Sequence, residues 1–253
     1  MNDKRVEIVW VVDRTRNMIG VRPSIVPALN KVYMSHVLAP GSADVSLYTY
    51  TDEVRATTPR CNVISARHLA MRNYILREKQ VALWDAIAMA VDTTGRALTE
   101  TPEENRPTSV TVCILAGGPD NASVNETPES VAERIRVQQD VYKWNFLCCA
   151  PQSMQEELTE KLGFLPENVS AWDPTARLSA SRSIRAMSLR VLAERMNLSG
   201  KNVPQKFSRW VSMNTPITKQ GRMMPTGPLV SVAPLMQRMA SQGSWCFPLS
   251  HQR

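Results

Sequence analysis

Three stretches of this chain are apolar at nearly every position: "VEIVWVV" from Val6, "SVTVCILAGG" from Ser109 and "WNFLCCA" from Trp144. A strand with one wet face alternates apolar and polar residues. A strand that is apolar throughout is covered on both faces, which in practice means a parallel sheet sandwiched between helices. The intervening sequence supplies such helices. One is expected from about Pro23 to Val37, with Val26, Leu29, Val32, Tyr33 and Val37 at helical spacing. Pro23 suits its first turn, whereas Pro27 points to a late start or a kink. "ALWDAIAMAVDTTGRAL" carries Leu83, Ile87 and Val91 on one face. Thr127-Pro128-Glu129 is a helix start, with Thr127 as N-cap, and that helix runs to about Val141. "MQEELTEKLG" reads as a short helix closed by Gly163. Asp173-Pro174 is read as the start of a last helix to about Met196.

Two shorter strands complete the series, Val45–Thr51 ("VSLYTYT") and "NVSAW". The alternation predicts an α/β fold, Rossmann-like, with a mostly parallel central sheet and helices on both faces. Ligands of such sheets sit at the carboxyl ends of the strands. Asp13 and Gly117 both fall at such ends.

Charge divides the chain in two. The formal net charge is +7, but no acidic residue follows Glu194. Eight basic ones do, which leaves 22 basic and 23 acidic side chains before them. The body, residues 1–196, is near neutral, and the basicity belongs to residues 197–253. That segment is rich in Pro and Met and carries Phe207, Trp210, Trp245 and Phe247, the expected anchors of an extended C-terminal arm on another protein or another copy of the chain. Contact with nucleic acid through its basic residues is a second possibility, but no basic cluster or aromatic platform supports it.

Five cysteines without a CxxC pair argue against a zinc site or a disulfide framework and for a reducing compartment. There is no run of eighteen apolar residues and no signal-peptide pattern. The expected location is the cytoplasm of a bacterial host or a virion. His36, His68 and His251 are isolated from one another, no nucleophile motif accompanies them, and the Gly117-Gly118 pair lacks the Lys-Ser/Thr of a phosphate loop. The chain is read as a non-enzyme.

From about Arg5 to Met196 the chain resembles a von Willebrand factor A (VWA) domain of the compact bacterial and phage type. "VEIVWVVDRTRNM" stands where that family has a strand followed by Asp-x-Ser-x-Ser. "VALWDAI" stands for Thr-Ala-Leu-x-Asp-Ala-Ile, and "CILAGGPDNAS" covers the segment usually written with Thr-Asp-Gly. The resemblance implies a VWA fold and a metal-ion-dependent adhesion site built from three loops, in which oxygen ligands hold a hard divalent cation, usually Mg²⁺. Carried across, Asp13 fills the first position, Thr15 keeps a hydroxyl, and Asn17 puts an amide where the second hydroxyl stood. The second-loop threonine is replaced by Val81 and the third-loop aspartate by Gly117. The expectation is therefore a degenerate site with no bound cofactor, in which Thr15 and Asn17 cap the following loop and Arg14 and Arg16 neutralise Asp13. The alternative is Mg²⁺ held by Asp13, Thr15 and Asn17 with Asp52 or Asp120 as an unconventional further donor. The functional expectation is a protein–protein interaction or assembly module, with a structural component of a phage particle as one setting.

Overall fold

The computed structural model describes residues 5–77, 79–173 and 175–199. The expected arm anchors Phe207, Trp210, Trp245 and Phe247 lie outside the described residues. Six strands form one sheet: β1 (Val6–Asp13), β2 (Ala43–Tyr50), β3 (Val54–Asn62), β4 (Ser109–Leu115), β5 (Asn145–Ala150) and β6 (Val169–Ala171). Their order is β3-β2-β1-β4-β5-β6, and every pairing is parallel except β2 with β3. Four helices cover them: α1 (Arg22–Val37), α2 (Leu83–Thr99), α3 (Pro128–Asp140) and α4 (Ser179–Leu198). This is the Rossmann-like α/β architecture that the resemblance to VWA domains implies.

Strand β1 is central, and all eight of its residues are buried. Its alternate side chains enter two separate cores. Val9 and Val11 pack with Leu83, Ile87 and Val91 of α2 and Val131 and Ile135 of α3. Ile8, Trp10 and Val12 pack with Ile25, Leu29 and Tyr33 of α1 and Ile184, Met187 and Val191 of α4. Each fully buried side chain of this size contributes about 1.5–3 kcal/mol of transfer free energy. The two cores explain why β1, β4 and β5 tolerate almost no polar position. Glu7 is an exception: it is buried at the amino end of β1 and bonded to Arg60 on β3.

The structure departs from the sequence reading in four places. Strand β3 was not anticipated. It is an antiparallel edge strand that contains Pro59 and shifts register twice against β2, and proline and bulges are tolerated at such an edge. Pro27 does not delay α1, which begins at Arg22 with Pro23 in its first turn. The segment before Gly163 is a 3-10 turn (Gln152–Met154) followed by a π-helical turn (Glu157–Lys161), not an α-helix; Gly163 closes it with a φ of 68°. Helix α4 starts at Ser179, not at Asp173. The Asp173 carboxylate instead accepts from the Thr175 N–H and hydroxyl, which closes a turn ahead of the helix.

Candidate functional site

The carboxyl ends of β1 and β4 meet the first turn of α2 at one end of the sheet. Asp13 closes β1 and is 0% exposed. Both of its carboxylate oxygens are engaged by main-chain donors: Oδ1 accepts from Thr15 N–H at 2.6 Å, and Oδ2 accepts from Gly117 N–H at 2.9 Å. Burial raises its pKa to about 6, outweighing these bonds, which favour the charged form. Tyr74 donates its hydroxyl to the Asp13 carbonyl, which fixes the same residue from the main-chain side.

Thr15 is buried, and its hydroxyl accepts from Asn17 N–H at 3.3 Å, capping the 3-10 turn Arg16–Met18. This matches the capping role expected of it. Asn17 does not share that role: its side chain is exposed, makes no hydrogen bond among the described residues, and lies against Gly118. A Cβ built on Gly118 would stand 2.6 Å from Asn17 Nδ2. A Cβ on Gly117 would stand 2.6 Å from both Asp13 Oδ2 and Met18 Sδ. Gly117 is therefore required by close approach to a buried carboxylate, whereas at Gly118 the exposed Asn17 side chain can swing aside. The strand end before them is tied from the other side as well, because Trp172 Nε1 donates to the Ala116 carbonyl at 2.7 Å.

Val81, at the position of the second loop, is 1% exposed and packs in the apolar cluster that holds Val9, Val11, Tyr50 and Ala116. Its main chain is tied to the loop after β4: Val81 N–H donates to Asn121 Oδ1 at 2.7 Å, and the Val81 carbonyl accepts from Asn121 and Ala122 N–H. The two acidic residues considered as extra donors are placed differently from each other. Asp120 is spent as a cap. Its Oδ2 accepts from Trp84 N–H at 3.0 Å in the first turn of α2 and from the Ser123 hydroxyl at 2.5 Å. Asp52 is exposed and accepts from the Thr51 hydroxyl. Asp85 completes the join, accepting the N–H groups of Val124, Asn125 and Glu126. No group of three or more His, Cys, Asp or Glu with metal-site geometry occurs among the described residues.

Arg14 does not neutralise Asp13. No ion pair joins them among the described residues, and successive residues of an extended chain point to opposite sides. Arg14 is buried instead near Tyr74, Arg55 and Arg77. Sequence reading also missed Tyr74 and Asn121. Tyr74 lies in residues 63–80, which show no periodicity. Asn121 acts on a residue forty positions away.

No family model and no curated protein matches this chain. Solved structures do. The pilus adhesin SpaC from Lactobacillus rhamnosus GG, in its open conformation, superposes with a TM-score of 0.54 at 10% identity, over 77% of this chain and 31% of that one. Proximal thread matrix protein 1 from the mussel byssus superposes with a TM-score of 0.50 at 13% identity, over 76% of this chain and 46% of that one. A von Willebrand factor type A protein from Catenulispora acidiphila matches at 14% identity over 73% of this chain and 42% of that one, with a TM-score of 0.46. This chain thus spans less than half the length of each of these chains. The likeness is one of fold.

Proposed function

We propose that this chain is a non-enzymatic, VWA-like interaction module that works without a divalent cation. The observation that carries this reading is the burial of the Asp13 carboxylate, 0% exposed and with each oxygen already accepting a main-chain N–H, beside loops that offer it no partner ligand. A hard cation needs about six oxygen donors in near-octahedral array. Here the carboxylate is engaged, Val81 offers a methyl surface, and Gly117 admits no side chain. The donor set does not suit Mg²⁺. The join is held by hydrogen bonds where the family uses an ion.

Loops at the carboxyl ends of the strands are where such sheets bind their ligands, which supports a docking role for this end of the sheet. The superposition on an adhesin and a matrix protein is compatible with it. Assembly into a larger particle, a phage virion among the settings, with residues 197–253 gripping a neighbouring subunit, is the form of this role that the basic, Pro- and Met-rich tail suggests.

Calorimetric titration with Mg²⁺ and Mn²⁺ tests the first part. The expected result is no binding heat in the micromolar range. Micromolar binding that Asp13→Ala abolishes would overturn it and establish the metal-dependent alternative. Sedimentation of the full chain beside a chain ending at Ser199 tests the second part. The shortened chain is expected to lose self-association or partner binding, and unchanged assembly would remove the arm from the reading.

A further inference from the structure

Arg14 is 5% exposed, yet its side chain has no ion pair and no hydrogen bond among the described residues. Its Nε and Nη2 are both buried and unpartnered. These two nitrogens share one edge of the guanidinium plane, and their N–H bonds run parallel. That edge is the donor fork that a carboxylate fills with its two oxygens. A buried guanidinium without an acceptor is a costly group for a fold to hold, and a ligand that supplies the acceptor offsets that cost.

The surroundings favour an anion. Arg55 and Arg77 lie within electrostatic reach, together with Tyr74 and the carboxylate of Asp52; burial and the two arginines push the Arg14 pKa down. Arg55 is paired at the surface with Glu53 at 3.0 Å, and Arg77 has no ion pair among the described residues. Arg77 is held beside Arg14 by the main chain: its N–H donates to the Arg14 carbonyl at 3.1 Å, and it pairs with Thr15 as an isolated parallel bridge.

We propose that the Nε–Nη2 edge of Arg14 binds a carboxylate presented by an acidic segment of a protein partner. The proposal rests on the interaction reading above and names its chemistry. The fork matches a planar pair of oxygens. Asp52 nearby repels a doubly charged phosphate more than a singly charged carboxylate. Both nitrogens are buried, so neighbouring groups must move aside for the carboxylate to reach them, a cost that two charge-assisted hydrogen bonds offset.

The test follows the Arg14 Nε–Hε resonance by NMR in the full chain, at constant ionic strength. N-acetyl-aspartyl amide is expected to shift it saturably in the millimolar range, and N-acetyl-asparaginyl amide is expected to leave it in place. Arg14→Lys keeps the charge without the fork and is expected to weaken binding at least tenfold. Should that variant fold poorly, Arg77→Gln at the exposed rim is expected to weaken it severalfold. An unmoved resonance, or an equal response to the asparaginyl amide, overturns the site. Tighter binding of inorganic phosphate overturns the assignment to a carboxylate. The titration needs no partner, so its failure with assembly intact removes only this site. Carboxylate binding in a chain that docks on nothing removes the interaction reading and leaves the site.

Discussion

Asp13 and Gly117 are in direct contact across two loops: the Asp13 Oδ2 receives the Gly117 N–H at 2.9 Å, and the same oxygen stands 2.6 Å from where a Gly117 Cβ would be. The bond and the missing side chain are one arrangement. A residue with a Cβ at 117 would push the main chain away from the carboxylate that it binds. The glycine therefore does more than lack an aspartate. It permits an alternative way of closing this end of the sheet.

The first prediction follows. Gly117→Ala should destabilise the chain by about 1–3 kcal/mol, the usual cost of overpacking a buried site. Gly117→Asp, which restores the residue type of a metal-binding third loop, should cost at least as much and should not create Mg²⁺ affinity. Gly95→Ala is the control. Nothing lies within 4 Å of a Cβ there, inside α2, so it should stabilise by about 1 kcal/mol through helix propensity. Urea unfolding midpoints of the three variants check the ordering.

A second prediction concerns Glu7. Its carboxyl is buried, and burial raises its pKa to about 7 despite the bond from Arg60 at 2.9 Å. Between the unfolded value of 4.5 and about 7 the folded chain holds a proton that the unfolded chain has released. The contribution of Glu7 to stability is therefore complete below the unfolded value and is lost as pH rises through 7. The loss is on the order of 3 kcal/mol. Glu7→Gln should flatten this part of the stability–pH curve, read from denaturant unfolding at half-unit intervals. An unchanged slope would show that Arg60 keeps the carboxylate charged.

How far the sequence reveals this depends on distance along the chain. The strands β1, β4 and β5 are legible because burial on both faces removes polar residues from them. The cap at Thr127 is legible because its partner Ser130 is three residues on. Strand β3 is hidden because an edge strand with a proline looks like a loop until the strand beside it is known. Asp120 is read as a spare metal donor because its acceptor role toward Trp84 N–H spans thirty-six positions. The Arg14 fork is hidden for the same reason, since its neighbours at 55 and 77 are brought to it only by the sheet and its loops.

Asp120 gives the third prediction. It caps α2 and binds the Ser123 hydroxyl, so Asp120→Ala should cost about 1–2 kcal/mol, in the range of lost helix caps. The loss should be the same with and without Mg²⁺. Asp85→Ala should add to it and speed amide exchange at Val124 to Glu126, whose N–H groups Asp85 accepts. A stability loss at Asp120 that appears only in the presence of Mg²⁺ would point to a ligand role.

The last prediction lies in the other core. Arg195 on α4 is 2% exposed and has no acidic partner among the described residues. Its Nη1 donates to the His36 carbonyl at 2.8 Å and reaches His36 Nδ1 at 3.1 Å; its Nη2 donates to the Gly41 carbonyl at 2.9 Å and the Pro40 carbonyl at 3.1 Å. A guanidinium only donates, so Nδ1 must accept, and the imidazole proton sits on Nε2, 3.3 Å from the Ser188 hydroxyl. Burial first and Arg195 second lower the His36 pKa to about 3. The sign is opposite to that of Glu7. Below the unfolded value of 6.5 the unfolded chain takes up a proton that the folded chain refuses, so stability falls as pH drops from about 6.5 toward 3. In the intact chain the His36 ring resonances should not titrate between pH 5 and 8. Arg195→Met strips the carbonyls at the end of α1 of their donor and should cost about 2–4 kcal/mol, and the His36 pKa should rise because the neighbouring positive charge is gone. Titration of His36 near 6.5 in the unsubstituted chain would show that the ring is not held between α1 and α4 as described.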